Sequence, residues 1–386
     1  MYNFDEIVHR KGTDCIKWDQ LQKKYGDSSI LPFWIADMDF FVPKAIVSGI
    51  KNRASHPTYG YSFASDKYYS NFIGWNERRN GLPIKREEII SVPGIVCAYS
   101  FIIYGLIGSK GKIMFNTPIY DPFFKVTEEH GCEVVTSSLK KKDGIYQIDW
   151  EDIEKKFKDG VDLFVLCNPH NPTGRVWTYE ELERLGNLCI KYKVPIFSDD
   201  IHSDLVFEGN KYIPIISISE EIKQNTIMAM APSKTFNLAG LKSSYLIISN
   251  EDLRQKISTA IEKFHVGVNL FGLKSSEIAY EFGEEWLEEL CSYLKKNAEF
   301  VVDYCEKRLP RVKAYVPEGT YLMWLDFSDY ELSQNELMRK LVEDSGVALN
   351  DGSNYGKEGE GFVRLNIATP KAMLKKGLDL ISKIFN

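Results

Sequence analysis

One lysine in this sequence of 386 residues has neighbours that suit covalent chemistry. Lys234 lies in the run APSKTFNLAGLK, residues 231–242, directly after the apolar run 226–230. A lysine at the end of a strand, flanked by small and hydroxyl residues, can be desolvated and act as a Schiff-base nucleophile. Ser233 and Lys242 add a hydroxyl group and a cation that could bind a phosphate. The alternative is an ordinary Ser-Lys pair on the surface.

Two acids follow the apolar run that begins at Val194, in the segment FSDDIH, residues 197–202. They could bind a metal ion, but no third carboxylate or histidine lies at metal-ligand spacing, so we predict no metal site. Asp199 could instead pair with a protonated heterocyclic nitrogen, and His202 could contact an oxygen on the same ring. The alternative is a helix-capping aspartate beside a solvated histidine.

A third polar segment, CNPHNPTG at residues 167–174, also follows an apolar run. Its two Asn-Pro pairs and its glycine predict a stiff turn. The side-chain amide of Asn171 could donate a hydrogen bond to a phenolic or carboxylate oxygen, although so proline-rich a turn could also be only structural. Three successive strand ends thus carry polar groups, which favours one shared site over three unrelated structural features.

Alternating strands and helices are needed to bring these segments together. Several apolar runs are continuous, as in strands buried on both faces of a parallel sheet. Thr178 and Glu181 form a capping-box pattern that opens a helix between two of these runs. The pattern predicts a doubly wound α/β layer with its ligand groups at the carboxyl ends of the strands. The predicted strands are 112–115, 133–137, 163–167, 194–198, 226–229 and 245–248.

The two ends of the chain have a different pattern. Residues 284–309 read as one long amphipathic helix, followed by short strands at 320–326 and 361–366 and by helices near 334–344 and 370–385. We therefore predict a large ligand-binding domain, 51–283, a small C-terminal α+β domain, 284–386, and an N-terminal segment, 1–50, that packs with the small domain.

Composition narrows the classes of protein. With 48 Lys and Arg against 54 Asp and Glu, the net charge of -6 argues against non-specific binding to nucleic acid or to an anionic membrane. No stretch approaches the roughly 18 uninterrupted apolar residues of a membrane span. Seven scattered cysteines without a CxxC pair indicate neither a disulfide framework nor a zinc site, which favours a cytoplasmic location.

The ordered motifs NPHNPTG, SDDIH, PSKTFNLAG and FVRLN resemble those of pyridoxal-phosphate enzymes of aminotransferase fold type I, the class I/II aminotransferase superfamily. Within it, the sequence is most similar to the MalY/PatB group of cystathionine β-lyases, or C–S lyases. That similarity rests on His202, on LPFWIADMDF at 31–40, on YGY at 59–61 and on GTYLMWLDF from Gly319. The resemblance implies an α/β large domain, with a mostly parallel seven-stranded sheet between helices, plus a smaller α+β domain.

The resemblance also implies a role for each residue around the cofactor ring. Lys234 would hold pyridoxal 5'-phosphate covalently, and Asp199 would keep its pyridinium nitrogen protonated so that the ring acts as an electron sink. Asn171 would bond the ring hydroxyl oxygen, with His202 nearby. Tyr120 would stack on the face of the ring.

For the phosphate, the resemblance implies a cup made by backbone N–H groups, side chains and a tyrosine from a partner subunit. Its members are Gly94, Ile95, Val96, Ser233, Lys242 and, across a homodimer interface, Tyr61. Aminotransferases usually carry an arginine at position 242 and a hydroxyl residue at position 231, so this cup departs from the usual pattern at two positions. Arg364 would clamp the substrate α-carboxylate, with Asn171 and Tyr120 beside the substrate and with Trp34 and Tyr321 as further candidates for its wall.

The function implied is a cytoplasmic, homodimeric C–S β-lyase that acts on a small sulfur amino acid. It would cleave cystathionine or a related cysteine S-conjugate by α,β-elimination to a thiol (homocysteine), pyruvate and ammonia. Two alternatives stay open: an aminotransferase of aromatic or broad specificity, and a regulator that retains the fold. His202 and the segment 34–40 favour the lyase.

Overall fold

The computed structural model, which describes residues 2–142 and 144–386, is organised around a sheet of seven strands. All strands of the fold are numbered in chain order: β1 (Leu31–Pro32), β2 (Ile89–Val92), β3 (Lys112–Thr117), β4 (Glu133–Ser138), β5 (Lys140–Lys142), β6 (Ile145–Gln147), β7 (Leu163–Cys167), β8 (Ile196–Asp199), β9 (Thr226–Met230), β10 (Ser244–Ile247), β11 (Leu322–Asp326), β12 (Val347–Ala348), β13 (Asn350–Asp351) and β14 (Phe362–Asn366).

The order of strands in the large sheet is β2-β10-β9-β8-β7-β3-β4. The five strands from β9 to β4 are parallel to their neighbours, whereas β10 runs antiparallel to both β9 and β2. The predicted fold class, a mostly parallel seven-stranded sheet with smaller elements beside it, is therefore confirmed. Each of the six strands predicted for the large sheet overlaps an observed one, and β2 is the strand of that sheet that was not identified.

The central strands are buried on both faces because their side chains alternate between two hydrophobic clusters. On β7, Phe164 and Leu166 join one cluster while Val165 and Cys167 join the other. The residues of β7 and β9 are buried throughout. This burial explains why the runs are continuously apolar instead of alternating with polar residues.

Helices cover the sheet and build the ends of the chain. The predicted capping box is present: the Thr178 hydroxyl accepts from the backbone of Glu181, whose carboxylate accepts from Thr178 N. The α-helices are α1 (Ile16–Asp19), α2 (Leu21–Tyr25), α3 (Lys44–Ser55), α4 (Asp66–Asn80), α5 (Ile95–Ile102), α6 (Pro122–Glu129), α7 (Trp150–Lys158), α8 (Tyr179–Tyr192), α9 (Glu220–Gln224), α10 (Pro232–Thr235), α11 (Glu251–Lys263), α12 (Leu270–Phe282), α13 (Glu284–Arg308), α14 (Gln334–Arg339) and α15 (Lys371–Phe385).

The two ends of the chain pair with each other. Strand β1 lies parallel to β12, with Leu31 opposite Val347 and Pro32 opposite Ala348. Strands β11, β14 and β13 form an antiparallel sheet of their own. The predicted domain boundaries at residues 50 and 283 stay a prediction. Among the described residues, no helix is both long and apolar enough to cross a membrane.

Candidate active site

Four of the predicted side chains lie at the ends of neighbouring strands of the large sheet or a few residues beyond them. Tyr120 comes three residues after β3, Asn171 four residues after β7, and Lys234 four residues after β9, whereas Asp199 is the last residue of β8. Because β3, β7, β8 and β9 are adjacent and parallel, their carboxyl ends meet at one edge. The next strand of the large sheet after β3, which is β4, lies on one side of β3. The later strands β7, β8 and β9 follow one another on its other side. Such a switch point opens a crevice for a ligand.

A cavity of about 400 Å³ lies at this edge. Its lining includes ten of the twelve residues predicted for the site: Gly94, Ile95, Val96, Tyr120, Asn171, Asp199, His202, Ser233, Lys234 and Lys242. The two others, Arg364 and Tyr61, do not line it. The cavity is also lined by residues that were not predicted, among them Ala36, Cys97, Phe123, Cys167 and Ile201.

Lys234 points its amine at a backbone oxygen. Its Nζ donates to the carbonyl oxygen of Ala36 at 2.6 Å, and the Tyr321 hydroxyl donates to the same oxygen at 2.9 Å. Burial, aided by the nearby charge of Arg364, lowers the pKa of Lys234 to about 8, against the opposing pull of Asp37 and Asp199. The neutral amine, which a nucleophile or general base requires, is therefore present in about a tenth of molecules at pH 7 and in about half at pH 8, far more than for an ordinary lysine.

Asp199 is a buried carboxyl with little to neutralise it. Burial raises its pKa to about 7, although the Ile201 N–H group and Lys234 pull it the other way. Its Oδ1 accepts from Ile201 N at 3.3 Å. A buried acid of this kind is stabilised as a carboxylate when a cation lies beside it.

His202 lines the cavity near Lys234, whereas Tyr321, a candidate for the substrate wall, does not line the cavity and packs against His202. Their rings are 5.8 Å apart and meet edge to face. Burial lowers the pKa of His202 well below its ordinary value, and the charges of Lys234 and Arg364 lower it further, so the imidazole is neutral. Its Nδ1 is buried and has no hydrogen-bond partner among the described residues. A ligand atom that bonds this nitrogen would remove the cost of leaving it unpaired.

Arg364 lies behind the cavity and reaches it through Asn171. Its Nη1 donates to Asn171 Oδ1 at 3.1 Å, and its Nη2 donates to the carbonyl oxygen of Trp34 at the same distance. The guanidinium lies over the ring of Tyr355, 5.3 Å from its centroid. Arg364 Nε is buried and has no hydrogen-bond partner among the described residues.

One end of the cavity is formed by the start of α5. Gly94 precedes this helix, and the residues 94–97 line the cavity. The N–H groups in the first turn of a helix have no acceptor within it, and together with the helix dipole they favour an anion. Ser233 and the exposed Lys242 line the cavity as well, so a hydroxyl, a cation and backbone donors are available to a phosphate.

Tyr61 lies away from the cavity of its own chain and is fully exposed. Its neighbours Tyr59 and Phe63 are also exposed, so residues 59–63 present three aromatic rings to the outside of the chain. This placement differs from that of the other predicted site residues. It agrees with a role toward a second subunit, which stays a prediction.

Ala36 is one of the lining residues that the sequence did not reveal as part of the site. Its contribution is a carbonyl oxygen, which any residue type supplies, so the side chain gives no signal. The surrounding motif LPFWIADMDF carries the resemblance, and it is the only sequence signal that could have pointed to this segment.

The family to which the chain belongs follows from comparison with known proteins. The sequence profile described as "Aminotransferase class I and II" matches residues 30–381. This chain belongs to that family. Within the family it is similar to cystathionine beta-lyase PatB of Bacillus subtilis, with 40% identity over 378 residues that cover 97% of this chain and 98% of that protein.

Solved structures of the same family have the same fold. The PLP-bound C-S lyase from Staphylococcus hominis is 32% identical, with a TM-score of 0.93 over 100% of this chain and 98% of that one. Cystalysin from Treponema denticola, whose crystal structure contains a pyridoxal 5'-phosphate cofactor, is 29% identical, with a TM-score of 0.97 over 100% and 98%. The superfamily and the PatB group that the motifs indicate are therefore both confirmed.

Proposed function

We propose that this protein is a pyridoxal-phosphate-dependent C–S β-lyase. It cleaves cystathionine or a related cysteine S-conjugate by α,β-elimination, with a thiol, pyruvate and ammonia as products. One observation carries the proposal. A single cavity unites the buried amine of Lys234, the buried acid Asp199 and the amide of Asn171 with Arg364 behind it, in a chain of the PatB group.

The residues of the cavity fit pyridoxal phosphate on two independent observations. Asp199 is a buried acid whose charge a protonated ring nitrogen would stabilise, and His202 Nδ1 is a buried nitrogen without a partner among the described residues. The anion site at the start of α5 lies at the same cavity, as a phosphorylated ring requires. Asn171 Oδ1 accepts from Arg364, which leaves its amide nitrogen as a donor for the ring oxygen.

When bound, pyridoxal phosphate supplies an electron sink for the charge left at the substrate Cα after loss of its proton. Asp199 would maintain that sink by holding the proton on the ring nitrogen. Lys234 Nζ, neutral in a large fraction of molecules near pH 8, would take the Cα proton. Ala36 O is the acceptor that holds this amine when it is not engaged.

Arg364 and Tyr120 would orient the substrate. The Nε–H group of Arg364, which has no partner among the described residues, would donate to the substrate α-carboxylate in a charge-assisted hydrogen bond of the stronger kind. Burial, with the nearby charge of Asp121, raises the pKa of Tyr120 to about 12, so its phenol keeps its proton at neutral pH. With Cα deprotonated, the bond from Cβ to sulfur breaks and the thiolate leaves. Water then converts the remaining three-carbon fragment to pyruvate and ammonia.

The decisive experiment measures products from cystathionine without any added keto acid. We expect pyruvate and thiol in equal amounts, and a visible absorption band in the purified protein. In Lys234→Ala we expect the loss of both, because this variant lacks the covalent anchor and the general base. Lys375→Ala is the matched control, since Lys375 is an exposed lysine whose ion pair with Asp379 lies within α15.

Amino transfer that depends on an added keto acid, with no pyruvate released in its absence, would instead identify an aminotransferase. A colourless protein that takes up no added cofactor would contradict both enzymatic functions. If pyruvate is released from cystathionine, a panel of cysteine S-conjugates ranks the substrates of the lyase by kcat/KM.

We further propose that the protein works as a cytoplasmic homodimer. The exposed rings of Tyr59, Tyr61 and Phe63 support the dimer, because adjacent exposed aromatic residues mark interaction surfaces. In this arrangement Tyr61 reaches the phosphate end of the partner's cavity. The seven free cysteines support a reducing compartment.

A further inference from the structure

The main chain of residues 34–38 is held in place by side chains. Each of its five successive carbonyl oxygens accepts at least one side-chain hydrogen bond. The donors are Arg364 and Asn350 for Trp34 O, Asn366 for Ile35 O, Lys234 and Tyr321 for Ala36 O, Asn366 and Lys17 for Asp37 O, and Asn237 and Arg10 for Met38 O. Because neither a helix nor a long strand shapes this segment, these donors determine its position.

Two of these donors belong to the proposed reaction. Lys234 bonds Ala36 O, and Arg364 bonds Trp34 O. Lys234 would no longer donate to Ala36 O once its amine held the cofactor, so residues 34–38 would then depend more strongly on the other donors. The position of Trp34 O matters throughout, because it fixes one side of the Arg364 guanidinium.

Asn366 holds the two carbonyls on either side of Ala36. Its Nδ2 donates to Ile35 O and to Asp37 O, both at 2.6 Å, and its Oδ1 accepts from Ala368 N at 2.8 Å. Both hydrogens of the amide are thereby used. The residue is completely buried and lies two positions after Arg364 on β14, on the same face of the strand.

We propose that Asn366 is a positioning residue for recognition of the substrate carboxylate. By fixing the main chain at residues 35 and 37 it keeps Trp34 O in place against Arg364 Nη2. That contact, with the one to Asn171, orients the guanidinium and leaves its Nε–H group free. This role rests on the proposed function, in which Arg364 binds the carboxylate of an amino acid.

Replacing Asn366 is expected to weaken substrate binding more than turnover. In Asn366→Ala the carbonyls of residues 35 and 37 lose their donor, so the segment and the Arg364 guanidinium lose their fixed orientation. The carboxylate is bound in the ground state and in the transition state alike, which places the effect on KM. We expect KM for the amino acid to rise about tenfold, equivalent to about 1.4 kcal/mol of binding free energy, while kcat changes little. Asn366→Ser keeps one hydroxyl donor and is expected to show a smaller rise.

Asn297 offers a matched control within the same chain. It is also a buried asparagine whose Nδ2 donates to two carbonyl oxygens, those of Ile367 and Thr369, both at 2.9 Å. It lies on α13 and none of its hydrogen bonds reaches residues 34–38. Asn297→Ala should therefore cost similar stability without a rise in KM.

Amide hydrogen exchange gives a readout that does not depend on activity. In Asn366→Ala we expect faster exchange in peptides covering residues 34–39 than in the wild type and in Asn297→Ala, measured both without and with added pyridoxal phosphate. An unchanged exchange rate there, or an equal KM increase in the two alanine variants, would overturn the positioning role. If the wild type releases no pyruvate from any S-conjugate, the proposed lyase function fails. The exchange comparison and the KM for keto-acid-dependent transfer then decide the role of Asn366.

Discussion

At the residue scale, burial determines the chemistry of Lys234. A lysine amine in water has a pKa of 10.5, whereas burial and the charge of Arg364 bring this one to about 8. Its neutral form, the nucleophile toward the cofactor aldehyde, therefore predominates above pH 8 and not only above pH 10.5. We expect the rate at which the cofactor-free protein takes up pyridoxal phosphate to rise with pH through about 8 and then to level off. Stopped-flow absorbance of the visible band measures this rate.

Two variants of Arg364 test the cause of that pKa. Arg364→Gln removes a positive neighbour, so the pKa of Lys234 should rise and the midpoint of the uptake profile should move to higher pH. Arg364→Lys retains the charge and should keep the midpoint near that of the wild type. A wild-type rate that continues to climb beyond pH 10 would show that the amine is not tuned by its surroundings.

How far individual residues can be predicted depends on whether the side chain or the main chain acts. Lys234, Asp199 and Asn171 have reactive or hydrogen-bonding side chains at strand ends, so motif and spacing together indicated the cavity that they line. Ala36 acts through its carbonyl oxygen. Asn366 acts through hydrogen bonds to the main chain of residues that lie 331 and 329 positions away in the sequence. Residue type gives no sign of either contact.

At the scale of elements, the N-terminal segment is anchored by a buried ion-pair network. Lys17 is completely buried and its Nζ lies 2.7 Å from Asp39 Oδ2, while Asp39 Oδ1 accepts from Arg10 at 2.8 Å and from Trp18 at 3.0 Å. Burial alone would raise the pKa of Asp39, but Lys17, Trp18 and Arg10 together hold it below its ordinary value. The stability that this carboxylate contributes is therefore present at neutral pH, and it is lost as pH falls through the lowered pKa.

Removing the lysine from this network should destabilise the fold. In Lys17→Met the Asp39 carboxylate keeps Arg10 and Trp18 but loses its buried cation, and we expect a loss of about 3 kcal/mol in the free energy of unfolding. Urea denaturation of the holoprotein measures it. Lys375→Met, at an exposed pair, should cost less than about 1 kcal/mol. Equal losses in the two variants would mean that the buried network does not anchor the segment.

The predictability of elements follows from the same physics. Strands such as β7 and β9 are buried on both faces, so their continuous apolar runs located them to within two residues. The edge strand β2 has a mixture of buried and half-buried residues and was not identified. The antiparallel direction of β10 is set by its pairing with β9 and β2, which no local pattern encodes. Residues 34–38 have no periodicity because distant side chains shape them.

At the scale of the whole molecule, one chain contains most of the site but not all the groups expected around a phosphate. Tyr61 is fully exposed, although ten other predicted residues line the cavity. A second copy with two-fold symmetry would cover the exposed rings of residues 59–63 on both chains at once, because every contact that one chain makes with its partner is repeated in the reverse direction. The proposed dimer therefore accounts for the exposed aromatic residues and for the position of Tyr61.

Mixed dimers can test whether Tyr61 acts across the interface. The variant Tyr61→Ala should bind pyridoxal phosphate weakly and, at limiting cofactor, release little pyruvate, whereas Lys234→Ala should be inactive at any concentration. Co-expressed together, half of the dimers are expected to be mixed, and each mixed dimer contains one site with both Lys234 and the partner's Tyr61. Pyruvate release should therefore recover to about a quarter of the wild-type value per total protein, as random pairing in a two-fold dimer predicts. If Tyr61 instead acted in the cavity of its own chain, no site of a mixed dimer would contain both Lys234 and Tyr61. Pyruvate release would then stay at the level of the Tyr61→Ala subunits alone.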